Sequence, residues 1–389
     1  MKLIRRILCL LAALLALAGG YLMLPSNYYL RQTLMHLYPK IDQYPIFENR
    51  TVEALSPQPW EKAPAYGALS LEEEDLALFE QYETVAFVVI RNGQLLFESY
   101  WEGFSPQSLS NSFSMAKSIV SLAVGCAIDD GFIRSIDQPV SDFFDEFGAF
   151  DGETLTLRHL ITMSAGMDFV EAYSSPFSPV TKLYYGNDLR ALALGMKQIE
   201  KPGVYFNYQS CVTQLLAFIL EKATGESLSR YVSRKLWTPL HAEENALWSL
   251  DKADGMEKAY CCFNTNARDF ARFGQLILNK GYWDGVPLVA ESYLREALEA
   301  DTTLTDVRRK NMNRRYGFQF WSLTYDGLRI SSMQGLQGQY VFAIPEENAV
   351  IVRLGRQLGK PDPNLQYYPA DVALWLSAGL KLLRASENR

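Results

Sequence analysis

Histidine is scarce in this chain: His36, His159 and His241 are the three among 389 residues. Chemistry that needs several imidazoles, including most catalytic zinc sites, is thereby nearly excluded. Cysteine is almost as sparse. Cys9, Cys126, Cys211, Cys261 and Cys262 show no CxxC spacing, which excludes a zinc ribbon and a disulfide scaffold. Cys126 and Cys211 fall in apolar helical runs and read as core. An excess of positive charge is also missing, with 37 basic residues against 44 acidic and a net charge of −7. No nucleic-acid partner is expected on that balance. There is no GxSxG elbow, no internal repeat and no low-complexity tract. Neither a metal nor a cofactor is expected. Apolar residues, by contrast, are plentiful at 48%, with 13% aromatics, enough for one large core or two modest ones.

The N-terminus has the form of an export segment. Lys2, Arg5 and Arg6 precede an uncharged run from Ile7 to Leu24. The run is long for a signal peptide and just long enough to span a bilayer. Ala16-Leu17-Ala18 offers a cleavage site, but Tyr21 to Leu24 continues the apolar run beyond it, which favours an uncleaved anchor with its N-terminus in the cytoplasm. Residues 1–24 are therefore read as signal peptide or anchor, and the rest is expected outside the cytoplasm, facing the periplasm or cell exterior. That part holds 34 basic and 44 acidic residues, a net of −10.

Residues 25–80, broken by Pro45, Pro57, Pro59 and Pro64, read as a tether packed on the domain that fills 81–389. Thr84 to Trp101 contains Asn92-Gly93 between two β-rich runs, a hairpin signal. Helical periodicity dominates from about 104 to 310. Strand-like runs follow at Tyr316–Leu323, Leu328–Met333 and Tyr340–Leu354, the last split by Pro345 to Asn348, and a helix is expected over about 370–385. The fold class is α+β: an antiparallel sheet built from both chain ends, flanked by helices, with a large helical insertion forming a second lobe.

The chemistry starts from the helix opening at Ser114. Ser114, Lys117, Ser118 and Ser121 share one face of an otherwise apolar helix, at spacing i, i+3, i+4, i+7. A lysine there needs partners or loses its proton. A hydroxyl one turn from a desolvated amine is the arrangement of Ser–Lys nucleophilic catalysis. The same spacing recurs at Ser249 and Lys252, in a charged stretch read as a surface turn. The candidate proton donor for a leaving group is Tyr208, in KPGVYFNYQS, although taken by itself, one tyrosine among 22, it reads as packing. Gly335 to Tyr340 precedes a strand, and glycine there allows close backbone approach to a ligand or a β-bulge. The Gln339 N–H, paired with the Ser114 N–H, is the candidate oxyanion hole, with Ser210 and Gly338 in support.

Ser114-Met115-Ala116-Lys117, Tyr208-Gln209-Ser210 and Gly335 to Tyr340 together resemble the serine β-lactamase superfamily in order and spacing, in its class C and esterase-like branch. TLTLRHLITMSAGMDF, NARDFARFGQLILNKGYWDG and GQYVFAIPEENAVIVRLG extend the likeness over about residues 80–380. The Tyr-x-Ser form and the GxxGQY strand look most like the 6-aminohexanoate-dimer hydrolase group. The resemblance implies a β-lactamase-like fold and an acyl-enzyme, with Ser114 as nucleophile, Lys117 as general base and Tyr208 assisting proton transfer. The class C pattern has Asn where this chain has Ser210, and the Lys of Lys-Thr-Gly aligns with Leu336. Loss of that cation argues against penicillin hydrolysis and D-Ala-D-Ala cleavage and for an uncharged ester or amide. A non-catalytic binding or sensor domain on the same fold is the alternative from another class. His159 reads as structural, Asp269 and Arg272 as cross-links, and Tyr184, Tyr185, Trp283 and Trp321 as possible cleft walls.

Overall fold

A computed structural model of the chain describes residues 1–308 and 310–387. Along the chain come α1 (Lys2–Met23), α2 (Tyr28–His36), β1 (Asn49–Val52), α3 (Glu73–Gln81), β2 (Thr84–Arg91), β3 (Gln94–Tyr100), β4 (Ser110–Asn111) and α4 (Met115–Asp129). They are followed by α5 (Leu157–Ile161), α6 (Pro179–Tyr185), α7 (Leu189–Leu194), α8 (Ser210–Thr224), α9 (Leu228–Val232), β5 (Ala246–Ser249), β6 (Phe263–Thr265), α10 (Ala267–Leu278) and α11 (Glu291–Leu298). The chain closes with β7 (Trp321–Tyr325), β8 (Leu328–Gly335), β9 (Gln339–Ile344), β10 (Ala349–Gly355) and α12 (Asp371–Glu387).

The main sheet has the order β7-β8-β9-β10-β2-β3 and is antiparallel throughout. Strands from the two chain ends meet where β10 pairs with β2. The hairpin β2–β3 turns at Asn92 and Gly93, with φ of 53° and 74°, the left-handed pair that a two-residue primed turn requires. One face of the sheet carries α10 across β9, β10 and β2, and α4 against β8. The other carries α3 and α12, where Phe79 packs edge to face on both Phe87 and Trp375, with centroids 4.9 Å apart in each pair. β10 is fully buried on both sides, because helices cover both. A glycine on each helix meets it: a Cβ on Gly274 of α10 would lie 2.5 Å from Val350, and one on Gly379 of α12 would lie 2.2 Å from Ile351.

The segment between β3 and β7 forms the second lobe, and its strands β4, β5 and β6 join β1 of the N-terminal segment in a small sheet of order β1-β5-β6-β4 that sequence periodicity does not anticipate. Its strands have two to four residues, too short for alternation to register. The expected strand from Tyr316 starts only at Trp321. Asn313 Oδ1 accepts from the Arg315 and Tyr316 amides at 3.2 Å each, and Gln319 takes a φ of 64°, so the chain turns there instead of extending. The helix α1 is exposed along its length and long and apolar enough to cross a membrane.

The packing at β10 yields a stability prediction. Gly379→Val is expected to destabilise the fold by about 1–3 kcal/mol through overpacking against Ile351. Urea unfolding followed by circular dichroism measures it, and an unchanged midpoint would show that α12 is free to move off the sheet.

Candidate active site

The N-terminus of α4 is aimed by the pairing of β4 with β6. Asn111 Oδ1 accepts from the Phe113 amide at 2.8 Å and the Cys262 amide at 3.1 Å. The Ser112 amide donates to the Phe263 carbonyl at 2.8 Å, and Ser112 Oγ accepts from the Phe263 amide at 3.2 Å. These four bonds hold Phe113 at a φ of 43°, left-handed backbone that a bulky residue adopts only when its surroundings impose it. Ser114 follows as N-cap, partly exposed on the wall of a cavity.

One turn further on, Lys117 is 1% exposed. Its Nζ lies 2.9 Å from Ser114 Oγ and donates at 2.9 Å to the Tyr260 carbonyl. Among the described residues no carboxylate pairs with it. Burial pushes the Lys117 ammonium down to about 7, against the opposing pull of the Glu171 carboxylate. At neutral pH an appreciable share of the group is therefore free amine, able to accept a proton from the hydroxyl beside it.

Tyr208 arrives from the loop before α8. That loop is fixed by Gln209, whose Nε2 donates to the Met167 and Phe169 carbonyls at 2.7 Å each. The Tyr208 ring stacks on Trp321 at 5.8 Å and meets Tyr316 edge-on at the same distance. Lys117 Nζ sits 5.0 Å from its centroid, and its hydroxyl is hydrogen-bonded to Ser114. Burial first, and then the Glu171 charge, holds this phenol well above its ordinary value, so it stays protonated as a donor. Ser114, Lys117 and Tyr208 thus converge.

The expected supporting residues fall differently. Ser210 lines the cavity, but its amide and Oγ donate to Glu171 at 2.7 and 2.6 Å, and the Tyr173 hydroxyl donates to the same carboxylate. Glu171 carries no motif, and only its three-dimensional position reveals it. The Gln339 amide, expected in the oxyanion hole, belongs to a residue that is fully buried and absent from the cavity wall. Its side chain is turned to the Leu336 and Gly355 carbonyls. Leu336 shares the wall with Ser114 instead. The reason lies at Gly335: a Cβ there would lie 2.3 Å from the Ser112 carbonyl, so it is the end of β8 that comes against the Ser114 segment, and the turn reaches Gln339 only after bending away. The Leu336 N–H replaces that of Gln339 as the candidate donor. Gly338, at φ 80°, sits behind the turn, where its carbonyl and that of Gln337 accept from Arg353 at 2.7 and 3.0 Å.

The cavity is about 240 Å³, and among the described residues no charged side chain appears on its wall. Tyr184 and Tyr185 line it; Trp283 does not, packing on Trp60 instead. Trp321 acts one step back, under Tyr208. Cys261, also on the wall, forms a disulfide with its neighbour Cys262, directly after the carbonyl that holds Lys117. Adjacent cysteines carry no CxxC spacing, so this link has no signature in that pattern. His159 caps α5, its Nδ1 accepting from the Thr156 amide at 3.2 Å. Asp269 and Arg272 are bonded to each other at 2.9 Å and tie down the Glu243 amide and the Leu240 carbonyl. Ser249 is fully buried in β5, bonded to Asn49 at 2.8 Å, so the second Ser-x-x-Lys is not on a helix. Among the described residues no three His, Cys, Asp or Glu side chains are grouped to hold a metal.

Residues 76–374 match the family model described as Beta-lactamase. The chain belongs to the beta-lactamase family. Within it, this hydrolase is 27% identical over 307 residues to the 6-aminohexanoate-dimer hydrolase of Paenarthrobacter ureafaciens, covering 74% of this chain and 76% of that protein. In fold it is similar to a candidate 6-aminohexanoate-dimer hydrolase from Bacillus anthracis, with a TM-score of 0.75 at 21% identity over 92% and 95% of the two chains. It is also similar to a family VIII carboxylesterase, with a TM-score of 0.62 at 17% identity over 83% and 98%.

The Glu171 charge is the one influence here that raises the Lys117 value. Glu171→Gln is expected to lower it further and so to move the acid limb of the acylation-rate profile to lower pH, by about one pH unit or less. An acid limb that stays in place or moves to higher pH would remove Glu171 from the electrostatics of the site.

Proposed function

We propose that this beta-lactamase-family hydrolase is an exported, N-terminally anchored serine hydrolase that cleaves an uncharged ester or amide through an acyl-enzyme on Ser114. The observation that carries the reading is the 2.9 Å contact between Ser114 Oγ and the buried, carboxylate-free Lys117 Nζ. In the forward step Lys117 takes the hydroxyl proton as Oγ bonds to the substrate carbonyl carbon. The negative oxygen that develops is received by the backbone N–H groups of Ser114 and Leu336. Collapse breaks the bond to the leaving nitrogen or oxygen, which takes the Tyr208 proton, and Tyr208 is reprotonated from Lys117. Water then attacks the ester with Lys117 again as base, releasing the acid and restoring Ser114. The lack of charged side chains on the cavity wall among the described residues supports an uncharged substrate over a penicillin. The helix α1 supports membrane attachment with the catalytic domain outside the cytoplasm.

A fluorophosphonate probe is expected to label the protein, and Ser114→Ala to abolish labelling. Lys117→Ala is expected to slow acylation by p-nitrophenyl butyrate by about 10²–10⁴-fold, and Tyr208→Phe to be more harmful for anilides than for activated esters. A chromogenic cephalosporin is expected to be a poor substrate. An unlabelled wild-type protein would point to the binding-domain alternative, and near-normal turnover in Lys117→Ala would remove the proposed base.

A further inference from the structure

The wall of the Ser114 cavity has one unusual contributor. Thr33, Leu37, Tyr38 and Pro39 belong to the segment that directly follows the bilayer-length helix. This segment is a fixed part of the site. The Tyr185 hydroxyl donates to the Leu37 carbonyl at 2.8 Å, Gln337 Nε2 donates to the Pro39 carbonyl at 2.6 Å, and the Asn111 amide donates to the Ile41 carbonyl at 2.7 Å. The strap is thus sewn to the helix α6, to the turn beside Leu336, and to the strand that leads into Ser114.

The joint to α1 is equally defined. Three residues, Pro25–Asn27, separate α1 from α2. Asn27 Nδ2 donates to the Tyr21 carbonyl at 2.8 Å, and Arg31 Nη1 donates to the Leu24 carbonyl at 3.2 Å. Tyr21, Tyr28, Tyr29 and Arg31 surround this joint, the residue types that settle at a membrane–water interface. From there α2 runs nine residues, about 14 Å at 1.5 Å per residue, to the cavity rim. The rim itself is apolar and uncovered: Leu37 is 70% exposed and Phe177, next to the lining Pro176, is 67% exposed. Exposed apolar side chains at the mouth of an uncharged cavity, continuous with a membrane-length helix, match a ligand that is itself apolar and resident in the bilayer.

Resting on the serine-hydrolase reading above, we propose that the substrate is a membrane amphiphile, an ester or amide with a long apolar acyl chain, which passes from the bilayer over Leu37 and Tyr38 into the Ser114 cavity. The acyl carbonyl then meets Ser114, the chain lies along the strap, and the polar leaving group stays toward solvent.

The test uses the full chain in phosphatidylcholine nanodiscs, with p-nitrophenyl laurate and p-nitrophenyl butyrate as probes. The laurate-to-butyrate ratio of kcat/KM is expected to be about tenfold or more, since each methylene taken out of water multiplies affinity by about four. Leu37→Glu and Tyr38→Glu, checked for intact fold by circular dichroism, are each expected to reduce that ratio at least about tenfold. A ratio of one or below in the wild type, or a ratio untouched by both substitutions, overturns the proposal. So does sedimentation showing that the same substitutions split a dimer, which would assign the rim to a second copy of the chain. Butyrate hydrolysis and Ser114 labelling that persist without chain-length preference would sink this inference alone, whereas loss of both in the wild type would sink the underlying reading as well.

Discussion

A primary amine sealed from solvent beside one hydroxyl is the constraint on which the rest of this molecule depends. Lys117 has a carbonyl, a serine oxygen and two aromatic faces around it and, among the described residues, no carboxylate paired with it, the Glu171 charge opposing burial without an ion pair. Carrying a full charge there is costly, so the group is driven toward its neutral form, near pH 7. The same fact bears on stability. The unfolded chain holds this proton up to about pH 10.4. The folded chain releases it near 7, so the contribution of this residue to stability rises as pH climbs between those values and is at its least favourable below them.

The two lobes exist, in this view, to build that environment from separate pieces of chain. The helical lobe provides α4 and the Tyr208 loop, and its small sheet delivers the Tyr260 carbonyl by pairing β4 with β6. The main sheet provides the Gly335–Leu336 edge. That edge is braced from behind by the buried Arg353 guanidinium, which gathers the Gln337, Gly338 and Gln357 carbonyls. Each lobe alone presents half of the arrangement.

Much of this was legible in the residues. The Asn92-Gly93 hairpin, the break at Pro345, the terminal helix and the polar stripe of α4 are local patterns, set by neighbours in the chain. Ser114 and Lys117 are legible as a pair because they share one helix face, whereas Tyr208 stands out from the other tyrosines only through the family resemblance of its motif. What escaped was non-local. Glu171 sits in a stretch with no periodicity, and its importance comes from facing Ser210 and Tyr173 across a fold. Sequence points to Gln339 and not to Leu336 because a glycine-rich run does not say at which residue the backbone bends. The Cys261–Cys262 link and the strap at 37–39 are likewise facts about proximity, with no signature in spacing.

The most direct test of the central claim is the titration of Lys117 itself. In full-length protein with isotopically labelled lysine, the Lys117 side-chain NMR resonance, assigned by comparison with Lys117→Arg, is followed from pH 5 to 11. The account predicts a midpoint near 7, with the amine free above it. A midpoint at the ordinary lysine value of about 10.4 would mean a charged ammonium beside Ser114 at neutral pH, and the proposed base would not exist.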